Sequence, residues 1–376
     1  MEKQNKILNK IKNCQVYGNE GQLGKKNNDE CYTSMQTILD ELSQWAALGK
    51  FKDKRIICPC DWDIVGDEDD NENIYSITIE YEPEFKVTGN SAFKGAKVSY
   101  MLFDDLDDGR TAPKVIELKE DEVEEFLRDK LTCNFIRTFT QNARAWGIKS
   151  ITASGYNPTL HKGIRFQDVD YSKYDVCVTN PPFSLYKEFM NSILGKIDFI
   201  VLMPFLNRVA PCCGVPLMLN QAYLGFGVHL DAEFQNPTKD NKFKVKHVNC
   251  DWLTSFPEAQ DERNARHFKS GIRYEDYKDE WPEMPNMTMK DGTHPIRVSM
   301  STYPEDFDGW MFATIGVLDS LDQSEYEWFG THYSKYFNQI APKQNPWSHK
   351  CSDAMLRKQG EKSSVFNGIV FRKKKK

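Results

Sequence analysis

The stretch Tyr174-Asp175-Val176-Cys177-Val178-Thr179-Asn180-Pro181-Pro182-Phe183-Ser184 decides the reading of this chain. Val176 to Thr179 is a short apolar run of the kind that forms a buried strand, and Ser184 to Leu194 carries apolar residues at helical spacing. A strand therefore ends in an amide, two prolines and an aromatic ring, and passes at once into a helix. Two prolines fix φ, and the residue before a proline is pushed out of helical geometry, so the turn is stiff. Asn-Pro-Pro is also an ordinary turn signal, and it gains meaning from the strand before it and the helix after it.

Such a strand end suits a flat ring that bears an amine. The lone pair of an exocyclic amine is delocalised into its ring, which makes the nitrogen a poor nucleophile. The Asn180 side-chain oxygen and the Pro181 carbonyl can each accept one N–H bond from it and favour a pyramidal nitrogen. Phe183 offers a stacking face, worth about 1–3 kcal/mol for a base. Methylation of an exocyclic amine is the chemistry these residue types serve, and it needs no strong general base.

Outward from this point the chain alternates strands and helices. Ser34 to Leu48 has Met35, Ile38, Leu39, Leu42 and Trp45 at helical spacing, and Lys54 to Cys60 reads as a buried strand. Asn134 to Trp146 is expected to be a helix that stops at Gly147. Ser150 to Ser154 is a second strand, Gly163 to Val169 approaches a third, and Ile197 to Met203 follows the Ser184 helix. Tyr223 to Leu230 and Val248 to Thr254 close the set. The expected fold class is α/β, a mainly parallel, Rossmann-like sheet, with ligands beyond the carboxyl ends of its strands. Cys60-Asp61, Ser154-Gly155, Asp168 and Asn180 fall on that edge.

Ile64 to Leu131 differs in character. From Asp61 to Asp129 there are 21 acidic and 7 basic residues, a net of −14 that leaves +8 for the remainder of a chain whose total is −6. Strands are expected at Ile74 to Ile79, Val98 to Phe103 and Val115-Ile116, with a helix from Glu120 to Arg128. This reads as an acidic insertion between the first strand and its partner helix. The remainder can present a basic face to phosphates. Past Pro257, Arg263, Arg266, His267, Lys269, Arg273, Tyr274, Tyr277 and Lys278 interleave basic and aromatic side chains, either a nucleic-acid surface or a solvated face. The tail Arg372 to Lys376 is open to the same two readings.

The domain plan is a flexible arm over 1–27, a catalytic domain over 28–256 with its insertion at 64–131, and a recognition region over 257–376. No apolar run approaches the roughly 18 residues of a membrane span, and the polar N-terminus has no secretory core, so a soluble, cytoplasmic chain is expected. The 10 cysteines are irregularly spaced, with no Cys-x-x-Cys pair, so no metal site is expected. Cys58, Cys60, Cys212 and Cys213 are the crowded positions.

Together these segments resemble the EcoRI-type family of adenine-specific DNA methyltransferases. The resemblance is carried, in order, by Asp29-Glu30-Cys31-Tyr32-Thr33, Cys58-Pro59-Cys60-Asp61, Asn134-Phe135-Ile136, Thr179 to Leu185, Gly227-Val228-His229-Leu230 and Trp252-Leu253-Thr254. It implies a Rossmann-like catalytic domain with a C-terminal target-recognition region. It also implies a monomer that uses S-adenosylmethionine to methylate adenine N6 in a short site of double-stranded DNA. A cognate restriction enzyme of the same system, without stable contact, is left open. By matching position, Tyr32 and Thr33 approach the methionine end of the cofactor, and Cys58, Pro59, Cys60 and Asp61 wrap that end. Asp168 takes the cofactor adenine, and Asn180, Pro181, Pro182 and Phe183 hold a target base that must be flipped from the duplex. Two features depart from the common pattern of such enzymes. Pro59-Cys60-Asp61-Trp62 stands where a Gly-x-Gly is usual, and Ser154-Gly155-Tyr156 where an acidic ribose ligand is usual. An RNA adenine or protein glutamine methyltransferase, or a catalytically silent DNA-binding scaffold, are the alternatives.

Overall fold

Near-continuous apolar runs form strands that are buried on both faces. In a computed structural model of the chain, Arg55–Cys58, Ser150–Ser154, Val176–Thr179 and Asp198–Pro204 are four such strands. The structure describes residues 32–62, 74–82, 95–105, 111–157, 161–237, 243–266, 271–285, 287–330 and 368–375. The proposed N-terminal arm, Asp29 to Cys31, much of the acidic stretch, and His267 and Lys269 lie outside the described residues.

The described chain divides into two compact units. One comprises the described residues of Gly21–Met203 and Leu230–Thr254, the other those of Pro204–His229 and Ser255–Lys376. Strands are numbered along the chain. The first unit holds β1 (Tyr32–Thr33), β2 (Arg55–Cys58), β3 (Ser76–Tyr81), β4 (Ala96–Asp105), β5 (Thr111–Glu117) and β6 (Ser150–Ser154). It continues with the small hairpin β7 (Tyr156–Asn157) and β8 (Lys162–Gly163), then β9 (Val176–Thr179) and β10 (Asp198–Pro204). After β11 (Tyr223–Leu224) in the other unit, the chain returns to it with β12 (Leu230–Pro237) and β13 (Phe243–Thr254).

The main sheet of the first unit runs β1-β12-β13-β10-β9-β2-β6-β3-β4-β5. Its centre, β6-β2-β9-β10, is parallel, so these four strands send their carboxyl ends to one edge. The first central strand, β2, has β6 on one side and β9 on the other. The order of strands therefore reverses between β2 and β9, the position at which open α/β sheets bind ligands.

Helices cover the sheet. Met35–Ala47 begins at Ser34, whose hydroxyl accepts the Thr37 N–H, and buries Ile38, Leu42 and Trp45 on one face. It packs on the helix Asn134–Asn142, which also meets β6. Phe51 joins the two through an edge contact with Phe139 at 5.4 Å between ring centres.

The described strands of the acidic stretch lie in the chain between β2 and the helix Asn134–Asn142. β3 pairs antiparallel with β6, Thr78 Oγ1 lies 3.0 Å from Thr152 Oγ1, and β4 and β5 follow, so the insertion continues the central sheet. The short third strand expected from Gly163 to Val169 does not form beyond Gly163, the last residue of β8. Gly163 has φ +108°, which ends β8, and Phe166–Asp168 is a single 3-10 turn that buries Phe166.

The second unit contains a sheet in the order β14-β15-β17-β16, built from Ile296–Arg297, Met311–Thr314, Gly368–Lys373 and Tyr326–Gly330 respectively. Its core gathers Met287, Met289, Trp310, Phe312 and Val370. The fully buried Arg208 pairs with Asp319 at 2.6 Å and lies over the Phe205 ring. Among the described residues no helix is long and apolar enough to cross a membrane.

Candidate active site

All the residues singled out for chemistry fall in the first unit. Pairing of Ile56 with Val176 and of Ile57 with Cys177 sets the ends of β2 and β9 side by side. Cys58 and Pro59 are buried at the end of β2, while Cys60 is half-buried beyond them. At the end of β9, Thr179 and Pro181 are buried, and Asn180, Pro182 and Phe183 are half-buried. The corner thus rests on a packed base, and the Asn180 side-chain oxygen is itself buried. A 3-10 turn, Phe183–Leu185, leads into the helix Tyr186–Ile193, which buries Tyr186, Phe189, Met190 and Ile193.

The two strand ends are joined through Asp61. Thr179 Oγ1 donates to Asp61 Oδ2 at 2.5 Å, and the Cys133 thiol donates to Asp61 Oδ1 at 3.5 Å. The next residue, Asn134, donates from Nδ2 to the Thr33 carbonyl at 2.8 Å. Thr33 lies opposite Phe234 in the β1–β12 ladder, and the Phe234 ring meets Phe183 at 6.0 Å and 85°. The sequence-expected groups Tyr32-Thr33, Cys58 to Asp61 and Asn180 to Phe183 therefore form one connected constellation.

Asp168 stands differently. It is exposed on its 3-10 turn, with Arg165 as a charged neighbour. Among the described residues no hydrogen bond ties its side chain to the Asp61 group.

Burial raises the pKa of the thiols of Cys58, Cys60 and Cys177, and the nearby Asp61 carboxylate raises each further. They are neutral thiols at physiological pH, poor nucleophiles and poor metal ligands. Among the described residues no group of three or more His, Cys, Asp or Glu is arranged to hold a metal.

Gly155 follows β6, and a Cβ placed there would lie 1.9 Å from the Trp62 carbonyl oxygen. The Asp61 N–H is donated to the Ser154 carbonyl at 3.2 Å, and Trp62 Nε1 to the Ile74 carbonyl at 2.8 Å. The loop after β2 thus lies across the end of β6, and glycine at 155 permits it. The hydroxyls Thr33 Oγ1 and Ser154 Oγ are buried without a hydrogen-bond partner among the described residues. A buried hydroxyl left unbonded costs about 1–3 kcal/mol.

Thr179, Cys133 and Phe234 were missed as site residues in the sequence. Thr179 had a signal, since it directly precedes the tetrapeptide. Phe234 had a fainter one in the alternation of Leu230, Ala232 and Phe234 with Asp231, Glu233 and Gln235. Cys133 had none. No protein-family model, no curated protein and no solved structure matches the chain.

Proposed function

We propose that the protein is an S-adenosylmethionine-dependent, site-specific DNA methyltransferase acting on adenine N6. The observation that carries this reading is the half-buried Asn180-Pro181-Pro182-Phe183 corner at the carboxyl end of β9, at the strand-order reversal, linked through Thr179 to Asp61.

The residues beside the corner fit the cofactor. The buried Thr33 and Ser154 hydroxyls have donors to give, and Gly155 lets the β2 loop lie close over β6. Tyr32, Thr33 and Cys58 to Asp61 would hold the molecule, with Asp168 toward its adenine ring. When bound, S-adenosylmethionine supplies an electrophilic methyl group.

The chain's own part is to prepare the nitrogen. Asn180 Oδ1 and the Pro181 carbonyl accept the two N–H bonds of the target amine. They draw it toward a pyramidal geometry and stabilise the positive charge that grows on it. Prolines on either side of that carbonyl keep the acceptors from relaxing away. The edge contact with Phe234 leaves at least one face of Phe183 uncovered by that ring, so a flipped base can stack there. Basic residues outside the acidic stretch would meet the phosphates. Target recognition would fall to the region after 257, where basic and aromatic side chains interleave.

Transfer of labelled methyl from S-adenosylmethionine to unmethylated duplex DNA, structured RNA and purified protein, side by side, tests the reading. Label in DNA supports it, and label confined to RNA or protein overturns it. No binding of S-adenosylhomocysteine by calorimetry would favour a silent scaffold.

A further inference from the structure

Carboxylates stay buried only when their oxygens are engaged. Asp61 is 6% exposed, Thr179 is 0% and Cys133 is 7%. One Asp61 oxygen receives the Thr179 hydroxyl and the other the Cys133 thiol, while its backbone N–H reaches Ser154. One side chain and one amide thus join the ends of β2, β6 and β9 to the N-terminus of the helix Asn134–Asn142. The O–H···O⁻ bond from Thr179 is of the short, charge-assisted kind that tolerates little displacement.

The residues on either side give this hub its meaning. Thr179 directly precedes Asn180. Cys133 directly precedes Asn134, whose side chain holds the Thr33 carbonyl. A displacement of Tyr32-Thr33 is therefore passed through three hydrogen bonds, and one of the Cys60-Asp61 loop through the Thr179–Asp61 bond alone, to the residue that precedes the base corner. We infer that Asp61 is a positioning residue that couples the cofactor side of the site to the Asn180 corner. A ligand settling against Thr33 and the β2 loop fixes the corner, and a base in the corner tightens that ligand in return, as linkage requires. The inference rests on the methyltransferase reading and extends it, because that reading needs both half-sites but not their communication.

Thr179→Val keeps the shape and removes the donor, and Thr179→Ser restores it. The affinity for S-adenosylhomocysteine is measured by calorimetry with and without saturating unmethylated linear plasmid DNA, together with kcat and KM for methyl transfer. In the wild type, DNA is expected to tighten S-adenosylhomocysteine about tenfold, a size common for coupled sites. In Thr179→Val that factor falls below about twofold while the affinity without DNA is kept, and kcat falls with little change in the cofactor KM. Thr179→Ser regains both. Thr179→Val with undiminished coupling overturns the inference, as does a loss of affinity for S-adenosylhomocysteine alone, which would mark a merely structural role. A wild type that binds both ligands without mutual tightening refutes the coupling and leaves the methyltransferase reading standing. A wild type that binds no S-adenosylhomocysteine refutes both.

Discussion

Replacing Gly155 by alanine sets a methyl group against the Trp62 carbonyl and tests the closeness of the β2 loop to β6. The added Cβ would lie 1.9 Å from that oxygen and 3.0 Å from its carbon, and ordinary contact begins at 3.4 Å. About 1.5 Å must therefore be made up by backbone movement, since the obstructing atoms are main chain. Overpacking of this kind costs about 1–3 kcal/mol. At about 2–4 °C per kcal/mol for a unit of this size, the Tm of the first unit should fall by about 2–12 °C. The same movement stretches the Asp61 N–H bond to Ser154, which starts at 3.2 Å. A misplacement of about 1 Å in a positioned group can cost on the order of 100-fold in rate. Differential scanning calorimetry gives the first quantity, and titration with S-adenosylhomocysteine and steady-state methyl transfer give the consequences for the site. Gly155→Ala with a Tm within about 1 °C of wild type and unchanged binding would refute the close approach.

Three further outcomes are expected. Asn180→Ala should lower kcat by about 10²–10³-fold, as loss of one charge-stabilising partner does, with a much smaller change in S-adenosylhomocysteine affinity; equal losses would mean that Asn180 mainly shapes the cofactor side. Phe234→Leu keeps an apolar group in β12 but removes the edge contact on Phe183, worth about 0.5–1.5 kcal/mol, so kcat/KM for DNA should fall by up to about tenfold; an unchanged kcat/KM would separate Phe234 from the site. Asp175 accepts the Arg55 backbone N–H and, from its guanidinium, the Nε–H and one Nη2–H at 2.8–3.1 Å, and hydrogen bonding to that side chain holds its carboxyl below the ordinary aspartate range. A depressed folded pKa gives stability that is present above the unfolded value of about 3.9 and is lost as pH falls through the folded value. The Tm gap between wild type and Asp175→Asn should therefore be full at neutral pH and close on acidification below about pH 4; a gap independent of pH would contradict this.

Much of the parallel centre was legible because its signals are local. Ile56-Ile57, Ser150 to Ser154 and Val176 to Thr179 are short apolar runs cut off by proline or glycine, and each is a strand at the expected place. The helix Met35–Ala47 announced itself through its apolar spacing. What stayed hidden depends on partners distant in the chain. Nothing near Ser76 says that β3 will pair with β6, so the place of the acidic insertion within the sheet could not be read from its residues. Gly163 to Val169 looked extended, but a left-handed glycine and the turn-forming Phe166–Asp168 prevail there. The strand expected over Tyr223 to Leu230 forms only at Tyr223–Leu224, and a separate, longer strand begins at Leu230, whose period of two runs on to Gln235. Within the site, the residue types at Asn180 to Phe183 suggested their chemistry, whereas the Thr179–Asp61–Cys133 junction joins positions 118 and 72 residues apart and needed the fold to be seen.

The central claim is that the Asn180 corner presents an adenine amine for methylation. Its most direct test is mass spectrometry of nucleosides from unmethylated duplex DNA incubated with the protein and isotopically labelled S-adenosylmethionine. Labelled N6-methyldeoxyadenosine, lost in Asn180→Ala, is the expected product. Label on cytosine, or an absence of label in DNA while RNA or protein is labelled, would contradict the account.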